Sequence, residues 1–374
     1  STLAPAQPSL NRTPSSAALL EKRDAYTNVM SVDKKYFLTS PGARPVGAYG
    51  RNFKIGGGSL FTWYSKSPSD AIATSAMIII HGKRRDSANY WTVSRATLFL
   101  EKLNPDVAAH LQILNNVFID ARNAGEADPN TIRIAPQFFS SKNDVKAMNA
   151  TSLGYGDVNA WQAGEASTKP SGVRISSFTV LDYFLDYFSN AKQFPKMKTI
   201  TFVGHGGGGQ MTSRYAVIGK AGRSGISVRY VVGDPSSQLS FTIDRPVAFS
   251  NCTTYNDYRY GLKNYSPAAI YPLAFSGDSA SLFKRFAARD VRYVIGGDDT
   301  SDNGDQTCMA VAKGGQARTL RNQAYWKYLN LLGQSPLNAN VTDFFGSYPA
   351  LGTGTDPTVK QSIPSTIAKH KGRF

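Results

Sequence analysis

Short apolar runs bounded by turn residues alternate with stretches of helical spacing through the middle of the chain. Ala76 to His81 (A-M-I-I-I-H), Thr131 to Ala135, Thr199 to Val203, Val228 to Val232 and Val291 to Ile295 are each too short for a helix and read as buried strands. Shorter strands are expected at Tyr36 to Leu38 and Leu60 to Tyr64. Phe178, Leu181, Phe184, Leu185 and Phe188 recur at the spacing of one helix face. Further helices are expected over Trp91 to Leu103, within Val107 to Ala124, and over Gln210 to Lys220, Ser281 to Ala288 and Ala317 to Leu332, with a last apolar piece at Val341 to Tyr348. Strands alternating with helices predict an α/β fold: a mostly parallel central sheet with helices on both faces. Residues 1–25, rich in Ser, Ala and Pro, read as an N-terminal arm. Residues 26–374 show no repeat and no long linker, which predicts one domain. Met148 to Lys169 reads as an irregular excursion, and residues 240–278, rich in Tyr, Asn and Pro, as a cap-like insertion.

The most informative stretch is T-F-V-G-H-G-G-G-G, Thr201 to Gly209. A strand, a tight glycine turn and a helix are the setting of the nucleophile elbow, G-x-S-x-G, of α/β-hydrolases. The frame here is Gly204-His205-Gly206-Gly207-Gly208, so Gly206 stands where the serine belongs and supplies no nucleophile. The same glycines satisfy G-x-G-x-x-G, with Asp234 near the place of a ribose-binding acid. Consecutive glycines meet that pattern trivially, however, and a dinucleotide site belongs to the first βα unit, so no cofactor is implied. His81-Gly82 ends an earlier strand, where such a fold provides an oxyanion donor. The donors would be the N–H groups of Lys83 and Gly207.

The loop D-D-T-S-D-N-G-D, Asp298 to Asp305, follows a late strand, the place of a triad acid. Asp299 is the first choice and Asp298 the second. The loop resembles the start of a calcium site, but Ala310 stands where the bidentate glutamate is required, so no metal is expected. The histidines are His81, His110, His205 and His370. Only His370 follows the acid in chain order, and it lies in a Lys-rich tail ill suited to hold a catalytic imidazole.

Composition adds a formal net charge of +16, with only 18% charged residues. The positive charge reads first as a solvated surface and second as attraction to a polyanion or glycan. No nucleic-acid-binding module or basic-aromatic stripe is present, and no apolar run reaches the roughly 20 residues of a membrane span. The first residues, S-T-L-A-P-A-Q-P-S-L, read as a start exposed by processing. Asn-x-Ser/Thr sites at Asn11, Asn149, Asn251, Asn264 and Asn340 point the same way, to the secretory pathway and an extracellular or vacuolar location. Cys252 and Cys308 are the two cysteines, enough for one bridge within or between chains.

Several stretches, in order, resemble one family: secreted bacterial and fungal α/β-hydrolase-like proteins. They are I-I-I-H-G-K-R-R-D-S-A-N-Y-W (78–91), I-A-P-Q-F-F (134–139), S-S-F-T-V-L-D (176–182), G-G-G-Q-M-T-S-R-Y-A (207–216), G-D-P-S-S (233–237), D-R-P-V-A-F-S-N-C-T-T-Y-N-D-Y-R-Y-G-L (244–262), L-F-K-R-F-A-A-R-D-V-R-Y-V-I-G (282–296) and D-Q-T-C (305–308). The resemblance implies an α/β-hydrolase fold, an elbow of the form G-H-S-x-G-G, an acid at Asp299, and a Cys252–Cys308 bridge within the chain. It places the histidine in a late G-x-G-H-D motif, matched by Gly352 to Asp356 with Thr355 at the histidine position. A triad reduced to Gly206, Asp299 and Thr355 cannot form an acyl-enzyme. The expected function is therefore a pseudoenzyme reused as a structural, self-assembling or storage protein, with itself as the main partner. The alternatives are a binding module for an acidic ligand or glycan, and a serine hydrolase whose nucleophile was mutated.

Overall fold

The computed structural model describes residues 37–91, 122–273, 278–296, 299, 302 and 304–333. The expected arm, most of the segment from Trp91 to Ala124, and everything after Gly333 lie outside these residues.

Seven strands make the main sheet, in the order β1-β2-β4-β3-β8-β9-β10. They are β1 (Ala48–Ile55), β2 (Gly58–Ser65), β3 (Ser75–Ile80), β4 (Thr131–Pro136), β8 (Thr199–His205), β9 (Ser227–Gly233) and β10 (Asp290–Val294). β2 is antiparallel to its neighbours β1 and β4, and the strands from β4 to β10 run parallel. This order and these directions are those of the α/β-hydrolase fold. The smaller strands β5 (Phe139–Ser140), β6 (Gly154–Tyr155) and β7 (Ser167–Lys169) form a second sheet. Its strands β6 and β7 lie within the stretch read from sequence as an excursion, Met148 to Lys169, and β5 precedes it.

The central strands are buried because both faces are covered. Every residue of T-I-R-I-A-P in β4 is buried, Arg133 included, with its guanidinium over the Trp91 ring at 5.4 Å. Helix α1 (Ser87–Trp91) is short. Helix α2 (Ser177–Phe188) is capped by Ser176, whose side chain accepts from the Phe178 N–H, and buries the apolar face that the spacing predicts. Helices α3 (Gly207–Ile218), α4 (Ser279–Ala287), α5 (Cys308–Val311) and α6 (Arg318–Leu332) complete the described elements. One core cluster runs from Phe53 in β1 to Leu332 in α6.

Three expectations need correction. Phe37 and Leu38 form no strand; the Leu38 N–H instead donates to Asp144 Oδ1 at 3.1 Å. The edge strand β1 was not expected, because only Phe53 and Ile55 show apolar alternation. Its signal was the Gly56-Gly57 turn, at φ 53° and 88°, which joins Ile55 to Gly58 as a two-residue hairpin loop. Helix α3 starts at Gly207 rather than Gln210, although three glycines are poor helix formers.

The charge reading also changes. Arg85, Arg133, Arg214, Arg245, Arg259, Arg321 and Lys313 are buried, so part of the positive charge is interior. Several of these side chains satisfy loop carbonyls. Arg321 donates to Ser236 O, Asp305 O, Gly315 O and Gln316 O, and Arg245 to Thr242 O, Asp244 O and Tyr255 O. The insertion after residue 240 is thereby held from beneath. It is also fixed by the Cys252–Cys308 disulfide within the chain, with Cα atoms 5.9 Å apart, as the resemblance implies.

Lys313 donates to Ser240 Oγ at 2.6 Å and Tyr260 O at 2.7 Å. Burial, reinforced by the charges of Arg245 and Arg214, pushes its amine well below the ordinary lysine range. Between that lowered value and the ordinary one, the unfolded chain binds a proton that the folded chain does not. Stability therefore rises with pH across this window and is flat above it. Lys313→Met removes the proton from both states. In urea unfolding at successive pH values below the ordinary lysine range, we expect the wild type to gain up to about 1.4 kcal/mol per pH unit relative to the variant.

Candidate active site

The ends of β3, β8, β9 and β10 lie level, because Ile80 pairs with Gly204, His205 with Gly233, and Gly233 with Val294. The segments leaving these ends meet outside the carboxyl edge of the sheet, where ligand sites of open α/β sheets form. They bring together Lys83, Gly206, Gly207, Asp234 and Asp299.

Gly206 has φ 59° and ψ −113°, a conformation that a side chain adopts only with strain. Its N–H donates to Gly233 O at 2.9 Å, which holds the turn. A Cβ built on Gly206 would meet no atom within 4 Å. The neighbouring glycines have no such freedom. A Cβ would fall 2.2 Å from Gly208 O at Gly204, 2.2 Å from Ile80 O at Gly208, and 2.3 Å from Gly233 O at Gly209. The elbow keeps its shape, with an open space where a serine side chain would project.

The two expected oxyanion donors are close together. Lys83 N lies 3.1 Å from the position a Cβ on Gly207 would take, and Gln162 Nε2 lies 2.9 Å from the same point. Neither the Lys83 nor the Gly207 N–H has an acceptor among the described residues. The turn carrying Lys83 is pinned on all sides. His81 Nδ1 faces Gly82 O at 2.9 Å and Nε2 accepts the Phe138 N–H at 3.0 Å, partners that assign the neutral tautomer with the proton on Nδ1. Burial lowers the His81 pKa to about 3, so this imidazole is a structural peg. Arg85, at φ 60°, donates to Lys83 O at 3.0 Å and forms a buried ion pair with Asp144 at 2.6 Å.

Asp299 stands where the triad acid was expected, but its described partner is a guanidinium. Arg318 Nη2 donates to Asp299 Oδ1 at 2.8 Å, and Thr319 Oγ1 donates to the Asp299 carbonyl. Asp299 Oδ2 is buried without a hydrogen-bond partner among the described residues, as is Arg318 Nε. Asp298, His110, His370 and Thr355 lie outside the described residues.

A second carboxylate was not expected to take part. Asp234 Oδ2 faces His205 Nε2 at 3.2 Å, and Asp234 Oδ1 accepts the Gly296 N–H at 2.8 Å. His205 Nδ1 faces the Tyr90 hydroxyl at 3.5 Å, and burial pushes that phenol above its ordinary range. His205 is thus more than a turn residue. The sequence held one usable signal: two adjacent parallel strands ending level, one in G-H and the other in G-D. Gln162 and Arg318 had no local signal.

Of the Asn-x-Ser/Thr sites, Asn149, Asn251 and Asn264 are exposed, and Asn11 and Asn340 lie outside the described residues. Asn264 Nδ2 donates to Asp257 Oδ1 at 3.1 Å, whereas Asn149 Oδ1 accepts from both the N–H and the hydroxyl of Thr151 at 3.0 Å. Among the described residues no cluster of three His, Cys, Asp or Glu side chains could hold a metal ion, and no helix is long and apolar enough to cross a membrane.

The fold and the glycine turn together define an α/β-hydrolase-type scaffold. No family model and no curated protein matches the chain. Among solved structures, it is similar to poly(aspartic acid) hydrolase-1 from Sphingomonas sp. KT-1, with a TM-score of 0.49 and 18% identity, covering 80% of this chain and 89% of that one. LpqC, a poly(3-hydroxybutyrate) depolymerase from Bordetella parapertussis, gives 0.48 and 13%, covering 91% and 89%. The siderophore hydrolase EstA from Aspergillus nidulans gives 0.35 and 12%, covering 76% and 83%. Likeness at this level decides nothing about chemistry or substrate, which are read from this chain's own residues.

The contrast between adjacent glycines is testable. Gly208→Ala adds a methyl against the Ile80 carbonyl and is expected to destabilise by about 3 kcal/mol, although alanine is the better helix former. Gly206→Ala meets only backbone strain, about 1–2 kcal/mol. Urea unfolding of the two variants ranks them, and a costlier Gly206→Ala would contradict the packing described.

Proposed function

We propose that this protein is an α/β-hydrolase-fold pseudoenzyme whose elbow region serves binding in place of hydrolysis. The observation that carries the reading is the elbow itself: the turn is intact and open, yet Gly206 brings no nucleophile. The pairing of Asp299 with Arg318 supports it, because the acid that should orient an imidazole is engaged by a guanidinium. Without nucleophile and base, a serine-hydrolase site offers only its oxyanion donors and its binding surfaces. Those are the parts this chain retains, which favours a ligand-binding role for an acidic or glycan ligand.

Self-assembly, in a structural or storage protein of the secretory pathway, is the second reading. It draws on the low charged fraction of 18% against the roughly 25% usual for soluble domains. The interior placement of Arg85, Arg214, Arg245 and Arg321 also favours it, since charge held inside and hydrogen-bonded to the chain repels neighbouring copies less than a wholly exposed +16.

A nucleophile restored by Gly206→Ser projects into open space, so the variant tests the pseudoenzyme reading directly. We expect hydrolysis of p-nitrophenyl acetate and butyrate to stay at the wild-type background. Turnover from this single change would show that base and acid are in place and that only the serine is missing. For self-assembly, sedimentation across salt and pH is expected to show species that grow with protein concentration. A monomer under every condition removes that reading.

A further inference from the structure

We propose that β1 is the interface of a two-fold symmetric dimer, in which the β1 edges of two copies of this chain pair antiparallel about Asn52 and join the two main sheets. This rests on the self-assembly reading above and names its contact.

Among the described residues β1 is an edge strand, paired on one side only, with β2. The two-residue hairpin loop makes Ile55 and Gly58 a hydrogen-bonded pair, so Phe53, Arg51 and Tyr49 also turn their backbone groups toward β2. The alternation holds at the far end, where the Lys66 N–H donates to Gly47 O and the Ala48 N–H donates away from β2, to Pro45 O. The backbone N–H and C=O groups of Gly50, Asn52 and Lys54 therefore face outward. All three residues are exposed, and these outward groups have no partner among the described residues. A row of open donors and acceptors is a template for another strand.

The residues along this edge fit a second copy. Outward groups must meet outward groups, so even-numbered residues pair with even-numbered residues. Pairing about Arg51 would set two like charges directly opposite each other. Pairing about Phe53 shortens the overlap. Pairing about Asn52 uses β1 almost end to end and sets Gly50 opposite the partner's Lys54, with Arg51 opposite the partner's Phe53. Gly50 is the decisive position. A Cβ there would fall 2.8 Å from Cε2 and Cζ of Phe61, so the Phe61 ring, from β2, occupies the place of a side chain. Lys54 makes no ion pair among the described residues. In this register it crosses to the partner's Gly50 and meets the ring beside it, giving two symmetry-related cation–π contacts. Arg51 is held on the other face of the strand, over the Phe53 ring at 4.4 Å and donating to the Tyr187 hydroxyl at 2.8 Å, so it does not crowd the seam. The pairing consumes the same edge on both copies and closes at two.

Sedimentation equilibrium of the full chain at ~0.15 M salt, where charges more than about 8 Å apart are largely screened, tests the interface. We expect a dimer that dissociates on dilution. Asn52→Pro removes an outward N–H and leaves the bonds to β2 in place, so it is expected to be monomeric. Lys54→Glu and Phe61→Leu are each expected to raise the dimer Kd about tenfold, for two exposed cation–π contacts. Lys54→Glu also lowers the net charge, so general repulsion alone would make its dimer tighter, the opposite result. The register is read by cysteine trapping, since both native cysteines are already paired. In Asn52→Cys the two new cysteines lie on the symmetry axis with Cα atoms about 5.5 Å apart, within disulfide reach, and mild oxidation is expected to link the dimer. In Lys54→Cys they are offset by roughly 14 Å along the strands and are expected to stay unlinked. Assembly undiminished in Asn52→Pro, a tighter dimer in Lys54→Glu, or equal linking of the two cysteine variants would overturn the edge pairing while leaving self-assembly standing. A wild type that stays monomeric at every concentration overturns both.

Discussion

The first turn of α3 lies directly on the backbone of two strands. At Gly208 and Gly209 a Cβ would fall within 2.3 Å of the Ile80 and Gly233 carbonyl oxygens, and at Gly204 within 2.2 Å of Gly208 O. No side chain can enter this contact, so the helix is held at backbone-to-backbone distance from β3 and β9. The turn at Gly206 has to close over a very short path, which forces its positive φ. The elbow's shape therefore depends on Gly204, Gly208 and Gly209 and not on the residue at its centre. The central position carries no side chain and the turn still forms, and Lys83 N lies near Gly207 because the same contact positions the start of the helix.

A comparable constraint governs the irregular half of the molecule. A long insertion packed onto a core brings many backbone carbonyls out of water, and each needs a donor. Arginine supplies several donors in a fixed planar array. Arg214, which reaches Arg259 O and Gln162 O, serves this purpose together with Arg245 and Arg321. Arg214 has a further consequence for the site, since its bond to Gln162 O fixes the segment whose amide lies against Gly207. The lysine at 313 plays a similar part with a weaker group, and its burial, with Arg245 and Arg214 nearby, lowers the pKa of its amine.

These two features also explain what could be read in the sequence. Buried parallel strands such as A-M-I-I-I-H carry their signal locally, and so does the apolar face of α2. The start of α3 was misplaced because local propensity disfavours three glycines in a helix, while the close contacts that require glycine lie on other strands, at Ile80 for Gly208 and at Gly233 for Gly209. The elbow, Lys83, Gly207 and Asp299 were legible because each belongs to a turn at a strand end with its own pattern. Gln162, Arg318 and the facing of His205 with Asp234 were not, since each depends on which strands become neighbours. Composition is blind for a related reason: it counts charges and does not say which of them lie inside, as Arg85, Arg214, Arg245 and Arg321 do.

The electrostatic outcome at the elbow follows from pairing. In a working triad, an acid and an imidazole form one polarised unit directed at a hydroxyl. Here Asp299 is bound to Arg318, and of the two described imidazoles at this end of the sheet, His205 lies between Asp234 and Tyr90 while His81 is held by Gly82 O and the Phe138 N–H. Both carboxylates have partners among the described residues. Among the described residues the Lys83 and Gly207 N–H groups have no acceptor, and the start of α3 adds a partial positive charge. The turn at Gly206 and the pair of Asp299 with Arg318 therefore contain, among the described residues, no nucleophile–imidazole–acid unit of the triad kind.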